Sequence, residues 1–439
     1  MTDIREWSRL DNAAKIFPPT CSKRDPKVFR FVCELNEPVD EKTLQPALEK
    51  TLERFPFYKS VLKKGLFWYF FEESTLKPTV KKDCLYPCAP IYDSDEPGLL
   101  FRVCYYKNRI NLEVFHALTD GMGAVHFLRT LVYYYLIKKH PDCMPEKFQL
   151  NASEPPLDQI RQDAFQKYYD SDKKVKYQKQ NRAYRIKGLH FQDYHAGIVE
   201  GILSAKAVLQ AAHSYHVTLS EFLAALLICS IGDSMSVRDQ KYPVVITVPV
   251  DLRHFFPTPT ARNFFGIIHI GHNFKEDGNS FTKVIENVQN SFKEHLIPEK
   301  MLGIIDFYSS LENNVFVKAI PLMLKIPCLK FGGWWANRQD TAAISNLGII
   351  SMPPELSSYI RLFDIMICTE HPQICLCSFQ DNLSISYSSQ FQSTGIPCNF
   401  FRKLTEMGIA VEINSNLEQK EVGSDAALQK LQNKSAWRL

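Results

Sequence analysis

The stretch Phe115-His116-Ala117-Leu118-Thr119-Asp120-Gly121 has the spacing HxxxDG and lies between two segments of different periodicity. Before it, residues 109–115 alternate apolar and other side chains, which predicts a strand. After it, residues 122–139 repeat apolar side chains at helical spacing. His116 keeps the parity of the inward face of the strand. The sequence therefore predicts an inward-pointing histidine at a strand end, directly before a helix.

A neutral imidazole in this position can take a proton from a hydroxyl, an amine or a thiol, because histidine titrates near neutral pH. Gly121 and Gly123 permit the sharp turn that such a strand-to-helix connection needs. Asp120 is placed either to assist His116 or to hold the turn by pairing with a distant arginine. A histidine that is only a satisfied core residue has the same spacing, so the motif alone leaves both interpretations open.

Length and composition describe an ordinary globular protein of more than one domain. The chain has 439 residues, of which 45% are hydrophobic, with a formal net charge of +4. A chain of this length predicts roughly two or three domains. Its basic excess is small and dispersed, without the Lys/Arg block that tracks a phosphate backbone, so we expect no nucleic-acid partner.

The cysteines are typical of a reducing compartment. Four of the twelve lie singly within apolar runs, as buried thiols do: Cys33, Cys104, Cys229 and Cys368. The two close pairs, Cys84 with Cys88 and Cys375 with Cys377, lack the spacing of a zinc site. We therefore expect no metal and no framework of disulfides.

The chain shows no targeting or membrane-spanning signal. Its first ten residues are polar and charged, and no uncharged run reaches the roughly 18 residues of a transmembrane helix. We expect a cytoplasmic protein with no transmembrane segment. The most apolar segment, 319–335, is interrupted by two lysines and two prolines. It predicts a buried or pocket-lining element, in which Phe331, Trp334 and Trp335 either wall a pocket or pack in the core.

Periodicity and composition divide the chain into four parts. Residues 1–150 form an N-terminal lobe, 151–190 a polar linker that begins near Pro155-Pro156, 191–416 a C-terminal lobe and 417–439 a polar tail. Strands are predicted in both lobes at 28–35, 58–62, 66–71, 99–106, 109–115, 196–203, 244–250, 264–272, 344–351, 360–369, 374–379 and 383–387. Helices are predicted to start at Asp40, at Ser204 and at Thr218 or Ser220, with a closing helix at 394–410. The predicted fold class is α/β (α+β) with strands in mixed order.

Several segments together resemble the superfamily of CoA-dependent acyltransferases. This superfamily includes chloramphenicol and alcohol acetyltransferases, plant BAHD enzymes and the condensation domains of nonribosomal peptide synthetases, and the alcohol acetyltransferase-like group is the most similar part of it. The resemblance is carried, in chain order, by Leu10-Asp11-Asn12-Ala13-Ala14, by His116 to Gly121, by Val248-Pro249-Val250-Asp251-Leu252-Arg253, by Arg262-Asn263-Phe264-Phe265-Gly266, by Ile344-Ser345-Asn346-Leu347-Gly348 and by the final helix about Phe400, Phe401 and Leu404.

The resemblance implies two chloramphenicol-acetyltransferase-like lobes, each a mixed sheet with helices, and an active-site tunnel between them. It implies an acyltransferase that moves an acyl group from a thioester donor to a hydroxyl or amine acceptor. The donor would be acyl-CoA as a co-substrate or a thioester on a carrier protein, with no tightly bound cofactor. A metal-free site suits this chemistry, since thioester alcoholysis or aminolysis needs one base and one oxyanion donor.

The resemblance also implies roles for particular residues. His116 would be the general base, and Asp120 of the same motif would pair with Arg253, the structural support of the loop. Asn263 and Gly121 would contribute to substrate binding. We expect the side chains of Asp120 and Arg253 to touch.

Ser345 and Asn346 lie where the superfamily places groups that face the oxyanion.

Two features depart from the pattern of particular branches. Phe115 replaces the first histidine of the doubled pair of condensation domains, and the DFGWG segment of plant enzymes is absent. Two alternatives stay open: a carrier-protein-dependent condensation enzyme of lipid or natural-product assembly, and a catalytically silent binding module of the same fold.

Overall fold

The structure is a computed structural model that describes residues 7–143, 163–170 and 182–417. Most of the predicted linker and nearly all of the predicted tail lie outside these residues, and the four domain bounds stay predictions. The described chain is α+β, with strands in three sheets and helices packed against them.

The described residues form fifteen strands: β1 (Trp7–Arg9), β2 (Val28–Leu35), β3 (Ser60–Lys64), β4 (Tyr69–Glu73), β5 (Lys81–Lys82), β6 (Phe101–Tyr106), β7 (Arg109–Phe115), β8 (Gly197–Ser204), β9 (Val244–Asp251), β10 (Phe265–His272), β11 (Ala342–Ile349), β12 (Ile360–Ile367), β13 (Gln373–Phe379), β14 (Asn382–Ser389) and β15 (Glu412–Ser415). They also form thirteen α-helices: α1 (Phe17–Thr20), α2 (Glu41–Arg54), α3 (Gly121–Lys139), α4 (Ala164–Tyr168), α5 (Ala205–Ser214), α6 (Leu219–Gly232), α7 (Phe274–Asp277), α8 (Phe281–His295), α9 (Pro298–Asn313), α10 (Val315–Ala319), α11 (Leu322–Ala336), α12 (Pro354–Ser357) and α13 (Gly395–Glu406).

The first lobe is built on a five-stranded sheet in the order β12-β2-β7-β6-β5. Its edge strand β12 comes from the second half of the chain and runs antiparallel to β2, with Phe363 opposite Cys33. Helices α2 and α3 pack against each other, and α3 also packs on β2 and β7. A smaller sheet, β1-β4-β3, lies beside them. The crossing strand β12 ties the two halves of the chain together, a long-range pairing that local periodicity does not reveal.

The second lobe is built on a seven-stranded sheet in the order β10-β9-β11-β13-β14-β8-β15. Along β10 the side chains alternate: Ile268 and Ile270 are buried in the core of this lobe, whereas Ile267 and His269 keep partial exposure. One face of the sheet is therefore packed against helices, and the opposite face near β9 and β10 is open. The open face begins at Phe265, the first residue of β10.

The predicted helix starts are confirmed. The side chain of Asp40 accepts a hydrogen bond from the Thr43 N–H at 2.9 Å, and that of Ser204 accepts one from the Ala207 N–H at 3.2 Å. Thr218 is the cap of α6 and forms a capping box with Glu221. The closing helix is shorter than predicted. It ends at Glu406 because Gly408 adopts a left-handed conformation with φ of 81°, and the chain then returns as β15.

The prediction that segment 319–335 is a buried element is wrong, and its alternative, that the segment lines a pocket, stays a prediction. It forms α11, in which only Leu322 and Lys325 are buried. The helix lies against α1 and the β3–β4 hairpin, where the Leu322 N–H donates to the Leu66 carbonyl at 2.8 Å. Contacts with so small a neighbouring surface cover one side of the helix only, so most of its apolar side chains stay exposed.

Within the described ranges no single helix is long and apolar enough to cross a membrane, although α5 and α6 meet the length and composition criteria as a pair bent by 81°. The four cysteines predicted to be buried are buried.

Candidate active site

His116 lies where β7 ends, at the junction of the two lobes. Its N–H donates to the Lys27 carbonyl at 2.7 Å, which fixes the backbone beside β2. The chain then turns through Thr119 and enters α3 at Gly121, with Asp120 as the cap. The predicted strand, turn and helix are confirmed, and the histidine sits at the mouth of the strand.

The imidazole of His116 is held from the second lobe. Its Nδ1 lies 3.1 Å from Oδ1 of Asn263, whose Nδ2 in turn lies 3.2 Å from Oδ2 of Asp11. A carboxylate only accepts hydrogen bonds, so the Asn263 amide turns its nitrogen toward Asp11. Its oxygen then faces the ring of His116. That oxygen requires a proton on Nδ1 of His116. The lone pair of the ring is then on Nε2, the atom left to accept a proton.

Three phenylalanine rings surround the imidazole. Phe17 stacks on it with centroids 4.4 Å apart, Phe29 meets it edge to face at 5.0 Å, and Phe265 lies at 5.6 Å. The side chain nevertheless keeps some accessible surface. Burial lowers the pKa of His116 below its ordinary value, with its own carbonyl, Asp120 and Asn263 opposing the shift. The ring is therefore neutral at neutral pH, the state in which it can accept a proton.

Asp11 is fully buried and closes the chain of hydrogen bonds. Its Oδ1 accepts from the Ala14 N–H at 2.7 Å. Burial raises the pKa of this carboxyl, and the charge of Arg262 opposes the shift. Asn263 is also fully buried, with both ends of its amide engaged. It was predicted to bind substrate, but the structure places it behind His116, where it orients the ring.

Asp120 and Arg253 touch, as predicted: Nη2 of the arginine lies 2.8 Å from Oδ2 of the aspartate. The same Oδ2 accepts from the Phe264 N–H at 3.0 Å, and Oδ1 accepts from the Gly123 N–H at 3.1 Å. Both oxygens are thus committed to holding the turn and the second lobe. The sequence left open whether Asp120 assists His116 in catalysis or holds the turn by pairing with a distant arginine, and these contacts hold the turn.

The lobes approach each other closely at the start of α3. The Thr119 hydroxyl donates to the Ala261 carbonyl at 2.6 Å. A Cβ on Gly123 would lie 2.3 Å from that carbonyl oxygen, so a larger residue is excluded by backbone. A Cβ on Gly121 would lie 2.8 Å from the end of the Leu347 side chain. Its predicted part in substrate binding stays a prediction.

Ser345 and Asn346 are on opposite faces of β11. Ser345 pairs with Cys375, which belongs to the core of the first lobe, and Asn346 pairs with Leu376, which belongs to the core of the second. Leu347, on the face of Ser345, reaches Gly121 at the start of α3. Ser345 therefore shares the side of the sheet that approaches His116. Ser345 is partly exposed, and among the described residues its hydroxyl has no hydrogen-bond partner.

Asn346 is engaged elsewhere. Its Nδ2 donates to the Ser220 hydroxyl at 3.0 Å, and its Oδ1 accepts from the Gly348 N–H at 2.8 Å. Gly348 has a φ of 74°, and the pairing of β11 with β13 becomes irregular there. These contacts shape the end of β11, and the predicted oxyanion role of Asn346 stays a prediction.

Four residues of the site were not singled out from the sequence: Asp11, Phe17, Phe29 and Phe265. Asp11 and Phe265 lie within segments that carried the resemblance, which was the available signal. Phe17 lies in a short apolar stretch before Pro18 and Pro19 and has no motif of its own. Phe29 lies within the predicted strand 28–35 and has no motif of its own. All four act through contacts with His116 or Asn263 that join distant parts of the chain.

Several solved structures share this architecture. The TRI3 trichothecene 15-O-acetyltransferase from Fusarium sporotrichioides matches with a TM-score of 0.59 and 11% identity over 92% of this chain and 94% of that one. F. sporotrichioides TRI101, determined with coenzyme A and T-2, matches with a TM-score of 0.63 and 11% identity over 93% and 99%. The first condensation domain of the CDA synthetase matches with a TM-score of 0.59 and 14% identity over 93% and 97%.

No protein-family model matches the chain, and no curated protein matches it in sequence. The structural matches extend over nearly the whole of each protein. The chain therefore has the two-lobed fold shared by CoA-dependent acyltransferases and condensation domains. At this level of identity the likeness establishes the fold alone.

Proposed function

We propose that the protein is an acyltransferase that moves an acyl group from a thioester donor to a hydroxyl or amine acceptor. The observation that carries the proposal is the hydrogen-bond chain from Asp11 through Asn263 to Nδ1 of His116, which leaves Nε2 as a base at the junction of the lobes. The donor is acyl-CoA or a carrier-bound thioester. Neighbours of this fold that were solved with coenzyme A support the first form.

The reaction needs one base and one oxyanion donor. Nε2 of His116 takes the proton of the acceptor hydroxyl or amine as its oxygen or nitrogen bonds to the thioester carbon. The carbonyl electrons move to oxygen, and the Ser345 hydroxyl donates a hydrogen bond to that oxyanion. When the carbonyl re-forms, the carbon–sulfur bond breaks, and the leaving sulfur takes the proton from His116.

The surroundings of His116 suit this step. The three phenylalanine rings keep water from most of the imidazole, and this burial lowers its pKa and favours the neutral form. The open face of β9 and β10, which starts at Phe265, leads away from the ring along partly exposed side chains. We assign this face to one wall of the predicted tunnel.

Of the alternatives, the silent binding module would not need a base with an oriented proton. The condensation enzyme shares the fold, and a condensation domain is among the structural neighbours. Phe115 in place of a first histidine does not favour it. The cytoplasmic location expected from the sequence stays a prediction.

The test is release of free thiol from a panel of acyl-CoA donors with soluble alcohols and amines. We expect the wild-type protein to release thiol with at least one donor and the His116→Ala variant to lose about 10²–10⁴-fold of that rate, the usual contribution of a general base. His126→Ala, a change of another partly buried histidine, on α3, serves as the matched control. Equal rates for wild type and His116→Ala would refute the proposal.

A further inference from the structure

An exposed apolar surface lies beside the candidate site. It consists of α10, α11 and the tip of the β3–β4 hairpin, residues 64–67, and is called here the α10–α11 surface. The side chains of Phe316 and Met323 are each 83% exposed, Leu66 is 71% exposed, and Trp334 and Trp335 are 50% and 52% exposed. Large apolar side chains gathered on consecutive elements mark a docking surface, since scattered ones are the rule on a soluble protein.

The charges of this surface have one sign. Residues 315–338 contain three lysines and an arginine and no acidic residue. Lys318 and Lys330 are exposed, and the guanidinium of Arg338 lies 4.8 Å from the centre of the Trp334 ring. The hairpin tip adds the exposed Lys64. Apolar and aromatic side chains bordered by cations are the composition of segments that lie in the interface of an anionic bilayer.

Unlike the exposed lysines of this surface, Lys325 is buried, and it fixes the orientation of α11. It points inward, where its Nζ donates to the Phe67 carbonyl at 3.0 Å and lies 4.0 Å from the centre of the Trp68 ring. This contact joins α11 to the hairpin and presents their apolar side chains together. The exposed cations then remain at the border of the surface.

We propose that the α10–α11 surface docks the protein on a membrane that contains anionic lipids. A second copy of the chain fits it less well, because two such surfaces would bring cations of the same sign together. The arrangement calls for no spanning helix, since a segment of this kind lies within the interface.

The surface is one packing layer from His116. Helix α11 packs on α1, where a Cβ on Gly333 would lie 3.3 Å from Cγ2 of Thr20. Phe17 of the same short helix stacks on the His116 ring. If the proposed acyl transfer holds, on which this step rests, a docked protein takes its acceptor from the membrane, an amphiphile with a hydroxyl or amine head group.

Docking is tested by co-sedimentation of the full chain with vesicles of phosphatidylcholine and phosphatidylglycerol, and with vesicles of phosphatidylcholine alone. We expect binding to the anionic vesicles that weakens with added salt. The Met323→Glu/Trp334→Glu variant should lose at least tenfold in binding. The Lys318→Gln/Lys330→Gln variant, which changes exposed positions only, should lose roughly 25-fold, since each cation contributes about fivefold at an anionic surface.

The matched control is Val237→Glu, at a side chain 84% exposed on the turn after α6. It should bind vesicles as the wild type does. Binding that is equal in all four proteins, or absent in the wild type, would overturn the proposal. So would a concentration-dependent dimer in sedimentation velocity that the Met323→Glu/Trp334→Glu change abolishes.

Thiol release with a soluble acceptor separates this proposal from the proposed function. Both surface variants should keep that rate, because neither changes a residue of the site. Lost vesicle binding with unchanged thiol release supports docking. An inactive wild type that still binds anionic vesicles would refute the acyl transfer and leave the docking standing.

Discussion

The Nη2 atom of Arg253 lies 2.8 Å from Oδ2 of Asp120, a contact between the turn after His116 and the segment after β9. Arg253 also donates to the carbonyls of Thr260 and Arg262, at 3.1 and 2.7 Å. One guanidinium thus holds the loop that supplies Asn263 and, through Asp120, the turn that supplies His116. The geometry of the site therefore depends on this ion pair.

Removal of one partner should be costly. Both side chains are largely buried, so Arg253→Met leaves the Asp120 carboxylate without its cation, and such losses typically cost about 3–5 kcal/mol. Asp120→Asn should cost less, because an asparagine still accepts from the Gly123 N–H as the helix cap. The double variant should recover part of the stability and little of the rate. Urea unfolding of the four proteins measures the coupling, and strictly additive losses would show that the pair is not coupled.

The orientation of His116 should depend on which of positions 11 and 263 holds the carboxylate and which holds the amide. Asn263→Asp alone brings two buried carboxyl groups together and should destabilise the protein. The exchange Asp11→Asn/Asn263→Asp restores the hydrogen bond between the two positions and places a carboxylate on Nδ1 of His116. It should recover stability and raise the pKa of the imidazole. Thermal unfolding and the pH dependence of kcat/KM test both effects, and an exchange variant no more stable than Asn263→Asp would contradict the arrangement.

The pH profile should report the burial of His116. Only the neutral ring accepts a proton, so activity falls as pH drops through the pKa of the ring, which burial places below the ordinary histidine value. Phe17→Ala admits water to the stacked face. The acidic limb of kcat/KM should then move to higher pH. Phe316→Ala, which removes an exposed ring, should leave the limb in place, and an unmoved limb in Phe17→Ala would count against Phe17 as the shield.

Ser345 and Asn346 should differ in their effect on turnover. Loss of one oxyanion donor typically costs about 3 kcal/mol, or 10²–10³-fold in kcat. Ser345→Ala should show a loss of that order with little change in KM, because the donor acts mainly in the transition state. Asn346→Ala, the adjacent control, should lose much less, since its amide faces Ser220. Equal losses, or a change confined to KM, would remove Ser345 from the proposed mechanism.

A buried carboxyl pair where β8 and β14 meet β12 should make stability depend on pH. Burial raises the pKa of Asp364 well above its ordinary value, and neighbouring Glu200 adds to the shift. Oδ1 of Asp364 and Oε1 of Glu200 both lack other partners in the described chain, as expected if they share a proton. The folded protein then keeps a proton that the unfolded chain releases above the ordinary pKa. Stability should therefore decline as pH rises toward the folded value, by up to about 1.4 kcal/mol per pH unit.

In the Asp364→Asn variant the amide still donates a hydrogen bond to Glu200, but position 364 no longer titrates. The free energy of unfolding of this variant should therefore change less between weakly acidic and alkaline pH. Urea midpoints over that range measure the slope. Asp381→Asn is the control, because this exposed carboxylate accepts from the Lys206 N–H in the first turn of α5 and contacts there lower its pKa. It should leave the slope above neutral pH unchanged. Parallel profiles for wild type and Asp364→Asn would argue against a shared proton.

Local patterns in the sequence determined the elements that carry the site. Alternation predicts β7, helical spacing predicts α3, and the short side chain of Asp40 or Thr218 predicts where a helix begins, because each signal is read within a few residues. The HxxxDG spacing placed His116 at the strand end, and the order of the resembling segments predicted the contact between Asp120 and Arg253. These inferences needed no knowledge of which surfaces meet.

Tertiary structure alone decided what each element packs against. It brings Asp11 to Asn263 and Phe17 to His116, turns the Ser345 face of β11, rather than the Asn346 face, toward the lobe that holds His116, and inserts β12 into the sheet of the first lobe. It also leaves α11 exposed, although its composition suits a buried helix equally well. Hydropathy measures the free energy that a segment gains when it leaves water. Whether another surface covers the segment depends on residues far away in the chain. Burial and hydrogen-bond partners across that distance are set when the lobes pack together.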